Sequence, residues 1–83
     1  GAIRPMSLTM RWVMPEMNFV DSSNVEAIGH EPNSLELHVR FRSGDTYVYY
    51  EVPSVVFDAF MSAPSKGSFL NREIKPVFRF SKL

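Results

Sequence analysis

The sequence predicts an α+β fold: a small antiparallel sheet of three or four strands with two short helices packed on it. Three observations predict it. Leu35, Leu37, Val39 and Phe41 alternate without a break against Glu36, His38, Arg40 and Arg42, and period-two patterning of that length is an antiparallel strand with one face in water. Residues 46–52, crowded with aromatic and β-branched side chains, follow across Ser43-Gly44-Asp45 and stop at Pro53, which makes a hairpin. Val56, Phe57, Phe60 and Met61 then fall on one stripe at helical spacing, with Ser54, Asp58 and Ser62 away from it.

A chain of 83 residues is one small domain. It buries only roughly 60–65% of the surface its unfolded chain exposes, so its core has to be compact. At 45% hydrophobic and 22% charged the composition is that of a folded protein. The chain has no cysteine, which excludes disulfides and Cys-based zinc sites and suits a reducing cytoplasm, the compartment expected. No apolar run is long enough to span a bilayer, and no membrane partner is expected. Arg4, Pro5 and Arg11 interrupt any signal-peptide pattern. Residues 1–5 read as a cloning remnant with Met6 as the natural start, residues 1–17 as an N-terminal arm, and residues 18–83 as a single domain.

In order, Leu8, Met10, Trp12 and Met14 alternate with Thr9 and Arg11, as in a strand or extended arm ending at Pro15. Trp12 is read as a cover for an edge of the core. Asp21-Ser22-Ser23-Asn24 is turn and cap chemistry. The strand Val25-Glu26-Ala27-Ile28 follows, and Gly29 marks a bulge or the close approach of another backbone. Glu31-Pro32-Asn33-Ser34 is the next turn.

The hairpin register decides what the tyrosines do. A three-residue loop with Gly44 in the left-handed conformation pairs Phe41 with Asp45, Val39 with Tyr47 and Leu37 with Tyr49, and turns both rings to the core. A two-residue turn puts Val48, Tyr50 and Val52 inside instead. Gly44 stands where the longer loop needs it, which favours the first register. Pro53 suits the first turn of a helix, and Pro64 stops that helix after Ala63. Ser65-Lys66-Gly67-Ser68 connects, with capping serines, to a second helix carrying Phe69, Leu70 and Ile74 inward and ending at Pro76. Residues 77–82 alternate again as a closing strand.

Catalytic chemistry is thinly represented. His30 and His38 are the only histidines, at no spacing that gathers metal ligands, so neither a metal nor a cofactor is expected. The serines sit in turn and cap contexts, and Ser65-Lys66-Gly67-Ser68 lacks the Gly-rich spacing of a phosphate loop. The acidic residues are scattered singly, and His38 is expected on the wet face of its strand. Hydrolysis built on Ser65 or His38 finds no support, and no enzyme is expected.

Charge is more informative. Between residues 16 and 63 eight acids face only Arg40 and Arg42, a balance of −6. From residue 64 onward Lys66, Arg72, Lys75, Arg79 and Lys82 face only Glu73, a balance of +4. Such asymmetry suits an anionic partner.

Ser22-Ser23-Asn24-Val25, Ile28-Gly29, Leu35, Val39, Phe41, Gly44, Tyr47-Val48-Tyr49, Val52-Pro53, Phe57, Ala63, Ser65-Lys66-Gly67, Phe69, Asn71 and Ile74 together resemble the KTSC domain. That family is named for the C-terminal extension of some lysyl-tRNA synthetases, and it also stands alone in bacteria and phages. The resemblance covers residues 20–80. His30 departs from it, standing where the family often has an aromatic, as does Pro64. The family implies no known enzymatic activity, and its company with a tRNA synthetase suggests RNA binding. Tyr47, Tyr49, Val52, Pro53, Ser65, Gly67 and Asn71 are family marks read as structural.

The expectation is a non-enzymatic binding module that contacts RNA or another polyanion through Lys66, Arg72, Lys75 and Arg79, with Arg40 and Arg42 extending the patch. With both tyrosines inward, binding is expected on the opposite sheet face near Arg40, Val48 and Tyr50, or on the basic C-terminal third. The alternative is a protein–protein or homo-oligomerisation module in a bacterial or phage assembly, drawing on Trp12, the Met-rich arm and an open sheet edge.

Overall fold

A computed structural model describes residues 15–83. Trp12, and the expectations placed on it and on the rest of the arm before Pro15, lie outside the described residues. Among the described residues five strands form one antiparallel sheet in chain order: β1 Asn18–Phe19, β2 Val25–Glu31, β3 Glu36–Phe41, β4 Thr46–Tyr49 and β5 Phe80–Lys82. Between β4 and β5 come α1, Ser54–Ser62, and α2, Lys66–Phe69, which runs on into a π-helical segment, Leu70–Ile74. The α+β class is as expected. The sheet has five strands where three or four were expected, because the short segments β1 and β5 pair along its two edges.

The central hairpin takes the three-residue loop. The Phe41 N–H donates to the Asp45 carbonyl at 2.8 Å, the Gly44 N–H donates to the Phe41 carbonyl at 2.9 Å, and Gly44 has φ +101°. Leu37 is therefore paired with Tyr49 and Val39 with Tyr47. A residue with a Cβ would be strained in that left-handed turn.

On β2 the register slips between Val25, opposite Phe41, and Ala27, opposite Arg40. This bulge at Glu26 lets Val25 and Ile28, three apart in sequence, face the same side. Gly29 serves the other purpose expected of it, a close approach. A Cβ there would stand 2.7 Å from the Glu16 carbonyl oxygen and 2.7 Å from the Met17 sulfur.

Helix α1 begins where Pro53, with φ −67°, needs no N–H; its carbonyl accepts from the Val56 N–H at 3.0 Å. It ends at Ser62, ahead of Pro64. The Ser65 hydroxyl caps α2 by accepting from the Ser68 N–H at 3.3 Å. The wider π turn, marked by Lys75 N–H donating to the Leu70 carbonyl at 2.9 Å, brings both Leu70 and Ile74 inward. These helices cover one sheet face and close a core of Val25, Ile28, Leu37, Val39, Tyr49, Val52, Phe60, Leu70 and Ile74. Phe60 stacks on Phe69 at 5.3 Å. His30 stacks on Phe57 at 5.2 Å, and its Nε2 lies 2.7 Å from the Val52 carbonyl oxygen.

The second sheet face differs from expectation. His38 is only 3% exposed and Val48 likewise 3%. Both belong to the ladder row that includes Gly29, against which residues 15–17 lie. His38 is thus a buried group and not the surface residue that alternation suggests. Its Nε2 meets Glu36 Oε1 at 3.1 Å, and its Nδ1 has no hydrogen-bond partner among the described residues.

Candidate functional site

The helix layer stops short of one end of the sheet. Pairing places Phe41, Tyr47 and Phe80 on the core face, Phe41 and Tyr47 toward the hairpin tip and Phe80 beside Tyr49 on the edge strand. Phe41 and Tyr47 meet edge to face at 5.6 Å, and Phe80 lies 5.7 Å from Tyr47 and 5.8 Å from Tyr49. Tyr49 is buried, Phe41 and Tyr47 are half-buried, and Phe80 is 56% exposed. The result is a cleft of about 600 Å³ with an aromatic floor, a size common among small-ligand sites.

Its rim is polar. Arg42 rises from the end of β3 and Lys75 from the end of the π segment, with Ser23, Asn24, Ser43 and Asp45 between them. Arg42, which lines the cleft, donates from Nε to the Ser22 carbonyl oxygen at 2.7 Å, which fixes the guanidinium against the loop 21–24. Among the described residues neither Arg42 nor Lys75 has a salt-bridge partner, whereas the Asp45 carboxylate is engaged by Lys82 at 3.7 Å. The rim is therefore net positive around an aromatic floor, the pairing of features that single-stranded nucleic-acid sites use.

A second, polar cleft of about 390 Å³ adjoins the first, and Ser23 and Asn24 line both. Lys66, Gly67, Asn71 and Asp21 are among its other walls. The Lys66 ammonium donates to the Ala63 carbonyl at 2.6 Å and retains two further N–H donors.

The six residues expected to bind an anion are thus dispersed. Arg42 and Lys75 share the aromatic cleft, and Lys66 lines its polar neighbour. Arg40 is exposed on the opposite sheet face, between Ala27 and Thr46. Arg79 lies 5.6 Å above the Tyr50 ring and 3.8 Å from Glu51. Arg72 is exposed and lines neither cleft. The inward placement of Tyr49 agrees with the favoured register, but Tyr47 also presents its ring to the cleft, and the buried Val48 removes the centre of the opposite face from consideration.

Phe41, Phe80, Ser23 and Asn24 were not singled out as site residues from the sequence. A usable signal exists: in the favoured register Phe41 and Tyr47 share a face at the hairpin tip. Among the described residues no three His, Asp or Glu side chains are placed to hold a metal ion, and no helix is long and apolar enough to cross a membrane.

The KTSC domain profile matches residues 21–78. A protein from Tsukamurella paurometabola is 49% identical over 63 residues, covering 76% of this chain and 94% of its own length. The lysine–tRNA ligase of a Nostoc species is 35% identical over 63 residues, a stretch amounting to 11% of that ligase. Among solved structures, a KTSC domain protein from Yersinia pestis is 37% identical with a TM-score of 0.81, over 84% of this chain and 99% of that one.

Proposed function

The chain belongs to the KTSC domain family, and on that premise we propose that it is a non-enzymatic module binding single-stranded RNA in the aromatic cleft. An unpaired base stacks on Tyr47 and Phe80, and Arg42 and Lys75 take the flanking phosphates. The observation that carries this reading is the meeting of two cations, without salt-bridge partners among the described residues and thirty-three residues apart in sequence, above one half-open aromatic floor. Base stacking on an aromatic side chain contributes about 1–3 kcal/mol per base and tolerates any sequence. Each phosphate contact adds a salt-dependent term. The likeness to a stretch of a lysine–tRNA ligase is compatible with RNA as the ligand.

Fluorescence anisotropy of a short labelled single-stranded RNA at several salt concentrations tests this. Phe80→Ala is expected to weaken binding by roughly 5- to 150-fold. The double variant Arg42→Ala, Lys75→Ala is expected to lower the salt slope by about 1.4. No binding at low salt, or a slope unchanged in the double variant, counts against the reading. A second reading, self-association, rests on the edge of β5, unpaired among the described residues, and on the exposure of Phe80 and of Leu83, 64% exposed. A mass that rises with concentration in light scattering, with no RNA binding, would put it first.

A further inference from the structure

We infer that the polar cleft takes the ribose and phosphate of the neighbouring nucleotide, so that the two clefts together hold two consecutive residues of an RNA strand. This rests on the reading of the aromatic cleft as a base-stacking site. Three observations lead to it.

The clefts are immediate neighbours, because Ser23 and Asn24 line both. The partition between them is held in place: the Ser22 hydroxyl accepts from the Val25 N–H at 3.2 Å, the Asn24 carbonyl accepts from the Arg42 N–H at 2.9 Å, and the Ser22 carbonyl accepts from Arg42 Nε. A strand leaving the aromatic floor past Arg42 therefore meets a fixed low wall of two small polar residues. It then reaches the second cleft.

The chemistry of that second cleft differs from the first. Lys66, Asn71 and Asn24 offer donors, and Asp21 is an acceptor that cannot donate when ionised. A bare phosphate would meet the Asp21 carboxylate unfavourably. A ribose–phosphate presents both a charge for Lys66 and a 2′-hydroxyl that can donate to a carboxylate, and that hydroxyl is what separates RNA from DNA at a site.

The test is competition against the labelled RNA strand by three small molecules. Adenosine 5′-monophosphate carries nearly two negative charges at neutral pH, and adenylyl-(3′→5′)-adenosine and its deoxy counterpart carry a single one. The ribodinucleotide is expected to compete roughly tenfold better than the mononucleotide despite its lower charge, and better than the deoxydinucleotide. Asn71→Asp, at an exposed side chain, is expected to remove most of that advantage while leaving the mononucleotide unaffected. Lys66→Ala should do the same, although it also removes the bond to Ala63, and Asn71→Asp stands as the variant free of that complication. Equal competition by the dinucleotide and the mononucleotide, or an advantage that survives both substitutions, would overturn this inference alone. No binding of the labelled strand itself would overturn the reading beneath it.

Discussion

The Tyr49 phenol sits where ionisation is unfavourable. Burial raises its pKa above the ordinary value of 10.0, and the neighbouring Tyr47 adds to the shift. A phenol held protonated in the folded state contributes stability that is fully present below the unfolded pKa and is lost as pH rises through the folded one. Urea titrations are accordingly expected to show stability falling above about pH 10, with a smaller fall in Tyr49→Phe. An identical fall in the variant would remove Tyr49 as its source. At this scale legibility was uneven. Gly44 announced its positive φ because the hairpin it closes has one natural place for a glycine. His38 was misplaced because alternation says which residues share a face and not whether that face meets water. His30 stacks its ring on Phe57.

Strand β3 followed from its periodicity, and the hairpin register followed from the loop. The bulge at Glu26 was not legible, since no side chain there requires it; only pairing with β3 reveals that Val25 and Ile28 face the same way. The closing strand is shorter than its alternating pattern, beginning at Phe80 because the turn after the π segment still occupies residues 75–78. Gly29 supplies a prediction about how residues 15–17 join the sheet. Gly29→Ala would drive a methyl group into the Glu16 carbonyl oxygen and the Met17 sulfur, each 2.7 Å away. The sulfur can swing aside, but the backbone oxygen can do so only by lifting the segment. Urea denaturation is expected to show a loss of about 1–3 kcal/mol, the usual range for overpacking. A variant as stable as the parent would show that the segment is not held against β2.

Across the whole molecule, the charge asymmetry of the sequence does not become one basic face. Arg79 goes to Glu51, Lys82 to Asp45, and Arg40 to the far side of the sheet. Arg42 and Lys75 are what the fold brings together, and their meeting was illegible because nothing local links a hairpin tip to the end of a π turn. The aromatic floor was half legible: the favoured register already put Phe41 and Tyr47 on one face, but their fate depended on how far the helix layer extends. The central claim, that single-stranded RNA binds in this cleft, is tested most directly by titrating such an RNA into the ¹⁵N-labelled protein and following backbone amide shifts. Perturbations concentrated at Phe41, Arg42, Tyr47, Lys75 and Phe80 are predicted. Perturbations confined to the opposite face around Arg40 and Thr46, or none at all, would contradict it.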